Sequence, residues 1–264
     1  MRDLAVLVEN DYHNQVGGSS NMTVMHSSKK RRDLIAATVS EIEDLAPRVR
    51  RVRFAGSSLV GIDWKPGQKI KVEAGTKMRS YTPARVDTKA GWMDVVFFLH
   101  GNGPASLWAS SVCVGQSARF KRPVKSMPSA KKTPDWAMFL GDETAIGLAA
   151  ALLEDLPETV QVVGAIEVDA LDSEAVEAFG LTLNVAIRQQ QHGAALLKWL
   201  SKTKFPEGRG MVWLSGEANS VRALKLALAK RSPPNVKFRT KPYWKNKGHA
   251  HRKALENMDH LSHH

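Results

Sequence analysis

The sequence predicts two domains: an N-terminal antiparallel β-barrel and a C-terminal α/β domain built on a parallel sheet. Segments between Asp33 and Pro123 alternate apolar and polar residues with period two, as strands with one buried face do. Beyond Trp136, nearly continuous apolar strands alternate with helical segments, which indicates a parallel sheet covered on both faces. Between them, Lys125–Pro134 concentrates proline, serine and lysine, as a linker does. The boundaries that follow are 1–32 extension, 33–124 barrel, 125–134 linker, 135–244 α/β domain and 245–264 basic, His-rich tail.

Each element has its own signal. Residues 1–32 lack sustained periodicity and hold Val16-Gly17-Gly18-Ser19-Ser20, so they read as a mobile arm, with Met22 and Met25 as candidate starts. Leu34–Ile42 is the first strand. Val49–Ala55 (Val-Arg-Arg-Val-Arg-Phe-Ala) is the second, with one face buried and one wet. Pro66-Gly67-Gln68 turns the chain into a third strand, Lys69–Glu73, followed by Met78–Ala84 and Met93–His100. Gly101–Pro104 opens a helix, Ala105–Ser110, and Gly115–Arg122 closes the barrel. In the second domain the strands are Trp136–Leu140, Val160–Val168, Leu181–Ile187, Met211–Leu214 and Val236–Thr240. The helices are Thr144–Leu156, Ala194–Leu200 and Ser220–Lys230. Such a sheet takes nucleotides at the carboxyl ends of its strands.

Composition narrows the class. The 264 residues carry 24% charged side chains and a formal charge of +12, which favours anionic partners. No apolar run reaches the roughly 20 residues that span a bilayer. The single cysteine, Cys113, excludes an internal disulfide and a cysteine metal cluster, and fits a reducing cytoplasm. In Val112-Cys113-Val114 it reads as core. His249, His251, His260, His263 and His264 fall in the polar tail and read as solvated.

Three segments carry chemistry. In Arg79-Ser80-Tyr81-Thr82-Pro83, alternation places Arg79 and Tyr81 on a common face, able to grip a phosphate and pack on a ring; a plain barrel strand explains the segment equally well. In His100-Gly101-Asn102-Gly103-Pro104-Ala105-Ser106, a strand gives way to a helix whose free N–H groups suit a pyrophosphate; a simple Gly-rich connection is the alternative. In Gly141-Asp142-Glu143-Thr144, a buried strand turns into a helix, and Leu214-Ser215-Gly216-Glu217-Ala218 repeats that turn in the same sheet.

Taken in order, these segments resemble the ferredoxin-reductase-like FAD/NAD(P) fold. In detail they resemble its siderophore-interacting protein branch, the FAD-binding ferric-siderophore reductases. The similarity runs from about Asp33 to Trp244 and includes Trp108-Ala109, Trp213-x-Ser215-Gly216-Glu217-Ala218 and Tyr243-Trp244. The resemblance implies that Arg79 and Ser80 hold FAD phosphates. It puts Tyr81 on the isoalloxazine and Thr82 near its reactive nitrogen, as the catalytic pair. It implies that His100 and Gly101 line the flavin, and that Gly103, Pro104, Ala105 and Ser106 meet the pyrophosphate. Gly141, Asp142, Glu143, Thr144, Gly216 and Glu217 would line the nicotinamide crevice. Two departures stand out: the His100–Pro104 turn is one residue short, and Ile146-Gly147 replaces the common Leu-Pro, loosening the nicotinamide side.

The resemblance implies a cytoplasmic, monomeric enzyme that takes electrons from NADH or NADPH, passes them through FAD and reduces a ferric siderophore, releasing Fe(II). The flavin bridges a two-electron donor and a one-electron acceptor. The charge suggests steering of anionic ferric complexes, with Lys245 and Lys247 as candidate substrate contacts. No protein metal site is expected. Glu167 and Asp169, ending the second parallel strand, lean towards NADH by binding a ribose hydroxyl. Two rivals share the fold: a flavin reductase with another acceptor, and a non-catalytic iron-siderophore binder. A nucleic-acid partner rests on charge alone and ranks below these, and no membrane partner is expected.

Overall fold

The computed structural model describes residues 34–75 and 77–246; the predicted arm, Lys247 and the tail histidines lie outside the described residues. From Ile35 on, two sheets belong to one compact unit.

The first sheet has seven strands in the order β4-β3-β7-β1-β2-β6-β5. They are β1 Leu34–Ala46, β2 Val49–Ala55, β3 Lys69–Ala74, β4 Lys77–Tyr81, β5 Arg85–Asp87, β6 Trp92–Phe98 and β7 Ser117–Val124. The period-two pattern works as read: Val39, Val52, Phe54, Ile70, Val72, Val95, Phe97 and Phe120 face one core. Helix α1, Pro104–Ser111, has Pro104 in its first turn and packs Trp108 against Phe54 and Phe97.

Two expectations are corrected by these strands. The face of β2 read as wet is covered by carboxylates. Arg50 pairs with Asp44, Arg51 with Glu41 and Glu43, and Arg53 with Glu41, while both Arg51 and Arg53 reach Asp94, whose side chain is 1% exposed. A row of guanidinium groups can lie on a sheet when each meets an acid. Cys113 is exposed, not core: α1 ends at Ser111, and Val112 alone of that triplet turns inward, while Val114 is 62% exposed.

The second sheet is parallel where its pairings are resolved, with order β10-β9-β8-β11-β12. Its strands are β8 Trp136–Asp142, β9 Gln161–Val168, β10 Asn184–Ile187, β11 Gly210–Glu217 and β12 Val236–Trp244. Its helices are α2 Ile146–Leu153, α3 Ala175–Ala178, α4 Ala194–Lys202 and α5 Ala218–Arg231. Every residue of β8 and β11 is buried, as a covered parallel sheet requires. The single helix read over Thr144–Leu156 is a 3₁₀ turn, Glu143–Ala145, followed by α2.

Segment 125–135 contains neither helix nor strand, yet it is held. Met127 N–H donates to Gly67, and the Trp213 indole donates to the carbonyl of Pro128. Two arginines, Arg48 in the turn between β1 and β2 and Arg85 in β5, reach the second part of the chain. Arg48 binds Asp172 through its backbone N–H and side chain, and Arg85 binds Glu154 and the carbonyl of Phe179 while lying over the Phe179 ring.

Candidate functional site

A cleft of about 340 Å³ opens where the end of β4 meets the carboxyl ends of the parallel strands. Arg79, Ser80, Tyr81 and Thr82 form one wall, with Phe98 and His100 beside them. Thr144, Gly147 and Leu148 form the opposite side, and the end of β12, Lys241–Trp244, closes it.

The wall is built from strand ends. Tyr81 pairs with Ile70 across β3 and packs its ring 4.4 Å from Phe97. Burial pushes its phenol up to about 12, against the pull of nearby Arg79, so it stays neutral. Arg79 is exposed and makes no ion pair among the described residues; its side chain donates to the adjacent Met78 carbonyl. That contrasts with Arg48, Arg50, Arg51, Arg53, Arg85, Arg119, Arg188 and Arg209, all of which meet carboxylates. Ser126 also lines the cleft, and its Oγ is buried without a partner. An unsatisfied buried hydroxyl and an uncommitted cation in one cleft call for an anionic or hydrogen-bonding ligand.

Thr82 is buried and its hydroxyl is committed: Oγ1 lies 2.7 Å from the hydroxyl of Tyr243. Burial pushes Tyr243 up to about 12, while its bonds to Thr82 and Ser215 pull the other way. The expected proximity of Thr82 to a flavin nitrogen therefore competes with a bond across the cleft.

Asp142 lies behind the cleft, fully enclosed. Its Oδ1 accepts from Thr144 N–H (3.0 Å) and the Thr144 hydroxyl, and its Oδ2 from Glu217 N–H (2.8 Å) and the Trp244 indole (2.9 Å). Burial and neighbouring Glu143 push its carboxyl up to about 6, although those four donors pull it down. Gly216 makes this packing possible: at φ 116° it passes so close that a Cβ would come within 2.5 Å of the Asp142 carboxylate. Glu217 caps α5 through Asn219 and Ser220 N–H and accepts from Asn246 N–H. Burial works to raise its carboxyl, but these donors outweigh it and hold the group low. Glu143 pairs with Arg188, and Glu167 with both Arg188 and Gly193 N–H.

Of the sequence-derived candidates, Arg79, Ser80, Tyr81, Thr82, His100 and Thr144 share the cleft. Gly101, Gly103, Pro104, Ala105 and Ser106 lie at the start of α1 outside its lining, while Gly141, Asp142, Glu143, Gly216 and Glu217 stand behind it. Glu167 is 1% exposed and bonded to Arg188 and Gly193 N–H, while Asp169, half-exposed, meets Arg48 and Leu171 N–H. Gly147 stands close to the barrel: a Cβ there would lie 3.0 Å from the Thr82 carbonyl. Lys245 is exposed. Lys69, Ser126, Lys241 and Pro242 also line the cleft, and sequence reasoning misses them. Alternation along β12 is the one signal that could find Lys241.

No helix is long and apolar enough to cross a membrane, and no cluster of metal-ligating side chains occurs, both among the described residues.

The fold and cleft define a class: a two-domain protein of ferredoxin-reductase type. Residues 68–127 match the siderophore-interacting FAD-binding domain, and residues 134–247 match the siderophore-interacting protein family model. The chain belongs to the siderophore-interacting protein family. A siderophore utilization protein from T. fusca is similar in structure, with 26% identity and a TM-score of 0.67, over 81% of this chain and 93% of that one. The siderophore-interacting protein SipS from Aeromonas hydrophila shares the fold at 22% identity and a TM-score of 0.68, over 87% and 98%. In sequence, NADH-cytochrome b5 reductase 2 of Aspergillus fumigatus is 30% identical over 97 residues, which is 34% of this chain and 30% of that protein. The chain thus spans under a third of the length of that curated relative.

Proposed function

We propose that the chain is a FAD-dependent NAD(P)H oxidoreductase that reduces ferric siderophores and releases Fe(II). The observation that carries this reading is the cleft, where unpaired Arg79 and unpartnered Ser126 Oγ stand beside the Tyr81 ring. Those features fit a flavin: a cation for its phosphates, a hydroxyl for its polar edge and an aromatic wall for its ring. When bound, FAD supplies the exchange between two-electron and one-electron chemistry.

The residues of the chain do the rest. Arg79 and Ser80 hold phosphate, with the N-terminus of α1 adding the backbone N–H groups of Gly103, Ala105 and Ser106. Tyr81 fixes the ring plane. Thr82 and Tyr243 close the site from opposite sides and exclude water. Thr144 and Gly147 shape the nicotinamide side, and Asp142 holds Trp244 over the cleft. His100, Lys69 and Lys241 stand where an anionic ferric complex would approach. On this reading, 33–124 is the FAD domain and 135–244 the nucleotide domain.

The similarity to a cytochrome b5 reductase favours a second reading, in which the acceptor is a protein. Stopped-flow reoxidation of the reduced protein separates them. Faster reoxidation by ferric siderophores than by a small haem protein supports the proposal; the opposite order supports the second reading.

A further inference from the structure

The structure holds a second and larger cavity, about 510 Å³, at the far end of the parallel sheet, where β8, β11 and β12 begin. Five cations line it: Lys131, Lys132, Arg209, Lys237 and Arg239. The lining includes no carboxylate. Arg209 is held by Asp135 just outside, but the other four make neither a hydrogen bond through their side chains nor an ion pair among the described residues. Pro134, Met211, Pro234 and Val236 supply apolar wall, while Thr133 and Asn235 add neutral polar groups. A cavity of this size suits a small molecule.

The sequence explains how the cations converge. β12 is an edge strand, and its register sets Lys237 beside Met211, Arg239 beside Trp213 and Lys241 beside Ser215. Period two therefore puts Lys237, Arg239 and Lys241 on one face. The first two line this cavity; the third lines the cleft described above. The 125–135 segment brings Lys131 and Lys132 to the same cavity, fixed upstream by the bond from Trp213 to Pro128. Gly210 also lines it and leaves no room behind: a Cβ there would lie 2.1 Å from the Trp136 ring, whose indole N–H is buried without an acceptor.

Seven arginines elsewhere among the described residues, Arg48, Arg50, Arg51, Arg53, Arg85, Arg119 and Arg188, meet carboxylates. Here four cations face one concavity unmatched, so their repulsion is relieved by an anion carrying more than one charge. We infer that this cavity is a second binding site, for a small, multiply charged oxyanion, either phosphate-bearing or polycarboxylate. Such a site stands whether or not the cleft holds a flavin.

Isothermal titration calorimetry of the full chain with inorganic pyrophosphate and, separately, citrate tests it. The expected result is one saturable site with a dissociation constant on the order of 100 μM at low salt. The double variant Lys237→Ala/Arg239→Ala should bind at least roughly 10-fold more weakly, while Arg222→Ala, an exposed cation on α5 that lines neither cavity, should bind as the parent does. Binding of pyrophosphate over citrate identifies a phosphate ligand, and the reverse a carboxylate. Equal unfolding midpoints for parent and double variant keep folding out of the comparison; should they differ, Arg239→Gln replaces the double variant. Absence of saturable heat with either anion, or binding by the edge-strand variant that equals that of the parent and of Arg222→Ala, overturns the inference.

Discussion

Arg79 and Asp142 are both marked by the sequence as cofactor contacts, and the structure separates them. Arg79 is an exposed guanidinium that meets no acid among the described residues, so its replacement by alanine removes a charge-assisted contact and little else. FAD affinity in Arg79→Ala should fall by roughly 10- to 100-fold, measured by flavin fluorescence titration, with an unchanged unfolding midpoint. Asp142 instead joins the two strand–turn–helix units and the end of β12 by four accepted hydrogen bonds. Its carboxyl titrates near 6 when folded, above the usual carboxylate value of about 3.9. Between about pH 4 and pH 6 the folded state therefore holds this proton more tightly than the unfolded state. The contribution of this group to stability falls as pH rises through that window, by at most about 3 kcal/mol. Urea unfolding of parent and Asp142→Asn at pH 4.5 and pH 7 checks this: the parent should gain stability over the variant at the lower pH. The residue types at this turn are legible in the sequence. That its acids are consumed internally is not, because partners such as Trp244 and Arg188 are remote in the chain.

Strands are legible where burial alternates and less so where partners fix the ends. The bounds of β2 follow from its sequence to the residue because its buried apolar residues, Val49, Val52 and Phe54, are interleaved with half-buried arginines. β11 and β12 run past the expected ends to Glu217 and Trp244, since pairing with each other continues where the apolar pattern stops. β5 has three half-buried residues and no pattern to reveal it. The turn between β11 and α5 depends on Gly216, whose positive φ and contact with Asp142 leave no space for a side chain. Gly216→Ala should lower stability by about 2 kcal/mol or more, from backbone strain and steric clash, measured by denaturant unfolding.

At the scale of the whole molecule, the class of fold follows from a change of hydrophobic period, which needs no knowledge of contacts. What binds the first sheet to the second is not visible in that pattern. Asp172, with a wholly buried side chain, receives Arg48, and Glu154 receives Arg85. Asp172→Asn weakens the hold on Arg48, which is part-exposed and keeps Asp169, and should cost about 1 kcal/mol in unfolding free energy. The formal charge of +12 belongs to this scale too. If it steers anionic ferric complexes, turnover with such a complex should fall several-fold as salt rises from low ionic strength past 0.1 M, where the screening length is about 10 Å. A neutral ferric complex should show little change in the same assay.

Flavin-dependent reduction of ferric siderophores is tested most directly by the absorbance spectrum of the purified chain, followed through anaerobic addition of NADH or NADPH and then of a ferric siderophore with an Fe(II) trap. The expected result is a flavin spectrum that bleaches with the nicotinamide and returns as trapped Fe(II) forms. A colourless protein that cannot be reconstituted with FAD would contradict it.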